Sequence, residues 1–166
     1  MSDKENRIVV NTSPWIALST CGQIPLLKKI YHEVHIPLGV KEEILAGGKQ
    51  GIGVRELEAS SWVKIGKVID IEKVKLLFEL DQGEAEVIIL AKEKRIKQVL
   101  MDEKVARLQA EVLGLNVIGT LGLLLRAKKK GMISSIKPLI AKMLENGIWI
   151  KAEIVEGVLR DAREDF

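Results

Sequence analysis

The stretch Ile8-Val9-Val10-Asn11-Thr12-Ser13-Pro14 limits the folds open to this chain more than any other. Three consecutive β-branched or aliphatic residues favour a strand buried on both faces, as in a parallel sheet covered by helices. Ser13 followed by Pro14 reads as a helix N-cap and a first-turn proline, so the strand gives way at once to a helix. Asn11 then stands at a strand's carboxyl end, the edge of an open α/β sheet where ligands bind. Which other polar groups reach that edge decides what the domain can do.

The rest of the chain alternates short apolar runs with helical segments. Helices are predicted over 14–20, ended by Gly22, and over 25–31; Val34-His35-Ile36 predicts a short strand. Pro37 begins a helix that carries Glu42 and Glu43 and stops at Gly47-Gly48. A glycine-rich loop over 47–53 leads to a brief helix at 54–59, and Trp62-Val63-Lys64-Ile65 alternates like an edge strand. Residues 73–80 supply a helical turn or two before the loop Asp81-Gln82-Gly83. The segment 84–94 is apolar nearly all the way round, the mark of a largely buried helix. Val99-Leu100-Met101 repeats the opening pattern, ending in Asp102-Glu103 and a helix over 105–113. Val117-Ile118 and helices over 121–130, from Pro138 to 145, and over 153–160 complete the chain. Strands separated by helices predict an α/β fold, a mostly parallel sheet with helices on both faces.

A chain of 166 residues is long enough for one domain with a real core, expected over 8–159 between charged terminal segments at 1–7 and 160–166. No run of about 18 uncharged apolar residues is present, and the charged opening lacks the layout of a secretory signal, so a soluble, cytoplasmic protein is expected. Cys21 stands alone, which excludes an internal disulfide. The 26 basic and 23 acidic residues leave a net charge of +3, which permits nucleic-acid binding without requiring it. Aromatic residues are too few for an evident stacking platform. His32 and His35 straddle a helix-to-strand junction and give no clean ligand face. Cys21 reads as a small buried residue, and Lys128-Lys129-Lys130 as cations at a helix C-terminus. The aliphatic helices over 16–30 offer a surface for a dimer.

Chemistry concentrates at the strand ends. Asn11 follows the first strand, Asp102 and Glu103 follow a later one, and Glu84 begins the buried helix. At 100° per residue Ile88 and Ala91 lie within about 40° of Glu84, whereas Glu86 lies about 200° away beside Glu93. Glu84 is therefore expected to face the core and Glu86 the solvent. Singly, Glu84 is a helix N-terminal acid, Asp102 an N-cap, Glu103 a first-turn acid and Asn11 a turn residue. Together they form a group of oxygens whose mutual repulsion a divalent cation would offset, and hard ligands of this kind select Mg²⁺ or Mn²⁺.

These residues resemble the PIN-domain nucleases, and within them a VapC-like subgroup with a Val-Val-Asn-Thr-Ser-Pro opening. The resemblance rests on residues 9–14, the Gly-Glu-Ala-Glu segment at 83–86, Val99 to Glu103, Ala106-Arg107, and Gly119-Thr120-Leu121-Gly122; it spans 8–159. It implies a three-layer α/β/α sandwich and metal-dependent RNA cleavage by carboxylates at the strands' carboxyl ends. By this likeness the first ligand position falls on Asn11, the second on Glu43, the third on Glu84 and the fourth on Asp102 or Glu103. Glu43 is preferred to Glu42 because an aliphatic residue, Ile44, follows it. Ser13 matches the hydroxyl residue that orients the first position, and Lys104 and Arg107 are candidate phosphate contacts. The same likeness implies an RNA substrate, the toxin half of a toxin–antitoxin pair with a cognate antitoxin protein, and a homodimer. Active relatives usually carry aspartate at the first position, so Asn11 predicts weakened metal affinity and reduced cleavage. The rivals are a catalytically silent PIN-fold protein that binds RNA or a partner, and a doubly wound phosphotransfer domain. Asn11 counts against the latter, since an amide cannot form an acyl-phosphate.

Overall fold

The opening apolar run becomes the central strand of the sheet, and Ile8, Val9 and Val10 have no solvent exposure at all. A computed structural model describes residues 6–47 and 51–165. The first charged residues, the middle of the glycine-rich loop at 48–50 and residue 166 lie outside the described residues, so the expected helix stop at Gly48 does too. In chain order the elements are β1 Arg7–Val10, α1 Thr12–Thr20, α2 Pro25–Ile30, β2 Glu33–Pro37, α3 Leu38–Leu45, α4 Val54–Ala59 and β3 Val63–Gly66. They continue with α5 Ile71–Leu76, α6 Gln82–Lys94, β4 Gln98–Leu100, α7 Lys104–Val112, β5 Asn116–Ile118, α8 Thr120–Lys129, α9 Lys137–Glu145 and α10 Ala152–Asp161.

Five strands pair in the order β3-β2-β1-β4-β5, and every pairing is parallel. Within that order the chain steps from β1 outward to β3, then crosses back to β4 and on to β5. Parallel crossovers are right-handed, so the helices of these two runs cover opposite faces of the sheet. On one face α6 packs on β1, β2 and β4 and contacts both α5 and α7; elsewhere α1 contacts α8 and α9, and α10 packs on α8. This is the expected three-layer α/β/α sandwich. The direction of travel reverses between β1 and β4, and the crevice outside the carboxyl ends of those strands is the place where open α/β sheets bind ligands.

Helix α1 begins two residues earlier than the Ser13-Pro14 signal predicts. Asn11 is its N-cap residue, with extended backbone and no side-chain cap bond. The Asn11 N–H donates to the Leu100 carbonyl at 3.1 Å, extending the sheet, while its own carbonyl accepts from Trp15 N at 3.3 Å. One residue thus serves as both strand end and helix start, which leaves Ser13 no capping role. Trp15, fully buried, donates from Nε1 to the Gly53 carbonyl at 2.9 Å. Gly53 has φ +93°, and a Cβ there would sit 3.0 Å from the indole, so glycine is required on both counts.

Glu86 does not face solvent as its helical angle predicts: it is only 7% exposed. The reason is that α6 has no solvent side from Gly83 to Ala91, being enclosed by the sheet, α3, α5 and α7. The Glu86 carboxylate accepts from Gly39 N at 3.1 Å and from Gln82 Nε2 at 3.0 Å, serving the first turn of α3.

The apolar side chains of α1 and α2 are not left outside for a partner. Trp15, Ala17, Leu18, Leu26, Leu27 and Ile30 lie in the protein's own core. Beyond Leu159 the chain stays in the fold, because Glu164 accepts hydrogen bonds from Ser135 Oγ, Ile136 N, Lys137 N and Lys128 Nζ. Lys128 also donates to the Ala162 carbonyl at 2.6 Å, so it ties α8 to the chain end. No helix among the described residues is long and apolar enough to cross a membrane.

Candidate functional site

The parallel register of β1 and β4, with Val10 opposite Leu100, carries Asn11 and Asp102 out of the sheet at the same edge. Asn11 is 4% exposed, and its Oδ1 has no hydrogen-bond partner. A buried carbonyl oxygen without a donor is unusual and calls for a water or an ion as its partner. Ser13, exposed on α1, makes no hydrogen bond to it.

The neighbouring hydroxyl is engaged instead. Thr12 Oγ1 donates to Glu43 Oε2 at 2.6 Å, joining the start of α1 to α3. The Glu43 carboxylate also lies against Gly83 so closely that a Cβ there would run into it. Gly83 thus lets Glu43 reach the N-terminus of α6, where Glu84 begins. Glu42, equally exposed, has no such contact among the described residues, which favours Glu43 of the pair.

Glu84 is 8% exposed and completes a capping box: Asp81 Oδ1 accepts from Glu84 N at 2.7 Å, and Glu84 Oε1 accepts from Asp81 N at 3.1 Å. Burial raises the Glu84 carboxyl above its ordinary value. The Asp81 N–H bond opposes that, and the negative charges of Asp81, Glu103 and Glu43 push it higher again. Three acids read separately from sequence therefore act on one another in space.

Asp102 is not the cap of its own helix, whose N-cap residue is Glu103. It reaches across to α8, where Oδ1 accepts from Thr120 N at 2.7 Å and Oδ2 from Thr120 Oγ1 at 2.6 Å. A Cβ on Gly119 would stand 2.7 Å from Arg107 Nη1 and 3.1 Å from Asp102 Oδ1. The Gly-Thr pair is thus explained: glycine makes room for Arg107 and Asp102, and threonine is what Asp102 holds. Arg107 is half-buried beside the site, whereas Lys104 is exposed and has no ion-pair partner among the described residues.

Thr12, Gly83 and Thr120 are the contributors that sequence reasoning did not assign to the site. They act through contacts between segments distant in the chain, and the sign of them in the sequence is that all three fall within the short segments that carry the family resemblance.

The donors at this edge are all oxygens, one of them a buried orphan, and this set suits a hard divalent cation. No trio of Asp, Glu, His or Cys side chains among the described residues is gathered tightly enough to hold one as it stands. Glu43, Glu84 and Asp102 each accept hydrogen bonds, from Thr12, Asp81 and Thr120 respectively, and each carboxylate keeps lone pairs that a cation could use.

Fold and edge together define a parallel α/β/α domain with its polar site at the topological switch point. The chain belongs to the PIN-domain family: a family model described as a PIN domain matches residues 7–164. Among curated proteins, none matches the chain.

Proposed function

We propose that the protein is a metal-dependent ribonuclease, the toxin component of a toxin–antitoxin pair of the VapC type, with cleavage weakened by Asn11. The observation that carries this reading is that Glu43 meets Thr12 and the start of α6, where Glu84 lies, while the β1–β4 register brings Asp102 and the orphaned Oδ1 of Asn11 to one edge. Glu84 is buried, and the negative charges of Glu43 and Glu103 add to the cost of ionising it, a cost that a bound cation would offset. The residues that would hold the cation are Asn11, Glu43, Glu84 and Asp102, with Mg²⁺ or Mn²⁺ the ions suited to oxygen donors.

When bound, such a cation supplies Lewis-acid polarisation and neutralises charge at a scissile phosphodiester. The chain's own part is to set the positions. Asp102 fixes the N-terminus of α8, and Gly119 opens room for Arg107, a guanidinium beside Asp102 that could receive a phosphate oxygen. Glu43 and Glu84 supply negative charge, while Asn11 supplies a neutral carbonyl where active relatives usually carry aspartate. One charge fewer lowers affinity for the metal. The antitoxin partner and the RNA target belong to this reading through the family likeness.

A second reading is a catalytically silent PIN-fold protein that binds RNA or a partner. The neutral amide of Asn11 at the first ligand position favours it. Cleavage of a mixed RNA substrate with Mn²⁺ separates the two. The ribonuclease reading expects cutting that stops with EDTA and falls at least about a hundredfold in Glu84→Gln, a change that keeps the capping box. RNA binding without cutting, or cutting indifferent to EDTA, overturns it.

A further inference from the structure

Helix α7 is built inside out. Its inward face is alanine, with Ala106 and Ala110 fully buried, while its larger aliphatic residues point away from the protein. Val105 is 44% exposed, Leu108 61% and Val112 74%, with Leu113 just beyond at 37%. At 100° per residue Leu108 lies about 60° and Val112 about 20° from Val105, so the three form one stripe along the helix. A stripe with this spacing is suited to packing against another helix, and its exposure is not needed for the fold.

The charges beside the stripe say what kind of helix. Lys104 and Glu111 lie on the same flank, about 20° apart around the axis, at opposite ends of the stripe. Both are exposed, and neither has an ion-pair partner among the described residues. When two copies of such a helix are laid antiparallel about a two-fold axis, like flanks meet and the ends exchange. Lys104 of each copy then comes beside Glu111 of the other, twice over, while Leu108 packs near the axis. A parallel arrangement brings unlike flanks together and loses both pairs. The surface is thus self-complementary in shape and sign, as an isologous interface requires.

We propose that the outward face of α7 is the surface through which a second copy of this chain binds, antiparallel across Val105, Leu108 and Val112 with mutual Lys104–Glu111 pairs. This assigns the dimer surface to α7 and not to α1 and α2, whose apolar side chains lie in the core.

Sedimentation velocity on the whole protein tests it, with circular dichroism to verify folding. The wild type is expected to be a dimer at micromolar concentration. Leu108→Glu, at an exposed position, is expected to be a folded monomer. Lys104→Glu and Glu111→Lys should each weaken the dimer about tenfold or more through like-charge juxtaposition, and the double charge exchange should restore it. A monomeric wild type, a Leu108→Glu dimer, or a double exchange no tighter than the single variants would overturn the proposal.

Discussion

Asn11 sits where a strand ends, a helix starts and the carboxylates gather, and its buried side-chain oxygen has no partner among the described residues. Its backbone is fully committed to the sheet and to α1, so the side chain is free to serve a ligand without cost to either element. Glu84 is the opposite case, since its charge works against the fold. A carboxyl whose folded value is raised favours the protonated form, so its contribution to stability is present at low pH and is lost as pH rises through the folded value. Glu86 plays a structural part with the same chemistry, accepting from the Gly39 N–H, while a Cβ on Gly39 would collide with its carboxylate. Glu86→Ala leaves that buried N–H without an acceptor and is expected to cost about 1–3 kcal/mol, with Gly39→Ala destabilising in the same direction. Urea unfolding measures both, and an unchanged midpoint in Glu86→Ala would show that the bond carries no weight.

At the scale of elements, α6 organises the molecule by using acids to hold other segments' amides. Glu86 serves Gly39, and Glu93 accepts from Ile69 N and Asp70 N at 2.9 Å each, at the start of α5. The helix itself was legible in the sequence because its apolar residues run all round it. The fate of Glu86 was not, because a helical wheel assumes a wet side and α6 has none at that end. The strand at 8–10 was likewise legible from its β-branched run, and the edge strand at 63–66 from its alternation. Asp102 shows where local reading stops, since the helix it caps starts 18 residues further on. The chain's end follows the same rule. Burial raises the Glu164 carboxyl, but bonds from Ser135, Ile136, Lys137 and Lys128 outweigh it and bring the group to about 2 from its ordinary 4.5. A depressed acid adds stability that is complete above its unfolded value and is lost as pH falls through the folded one. Glu164→Gln should therefore be less stable than wild type at pH 7, with the gap closing between about pH 4.5 and 2. Thermal melts across that range check the sign; a gap that widens toward acid would contradict it.

For the whole molecule, the strand order β3-β2-β1-β4-β5 turns four separate stretches of sequence into one edge. The order itself cannot be read from periodicity, but the placement of polar residues after β1 and β4 anticipates it, since both strands end in side chains that a buried run would otherwise exclude. The same architecture leaves α7 on the outer surface of its layer, next to the site, with its aliphatic stripe outward. Under the proposed function this edge holds a divalent cation for RNA cleavage and Asn11 is its weak corner. The most direct measurement is the initial rate of RNA cleavage at limiting Mn²⁺ for wild type and Asn11→Asp. Restoring the missing charge is predicted to raise the rate at least about tenfold, with the difference shrinking as Mn²⁺ approaches saturation. Equal rates at limiting Mn²⁺, or a slower Asn11→Asp, would contradict it.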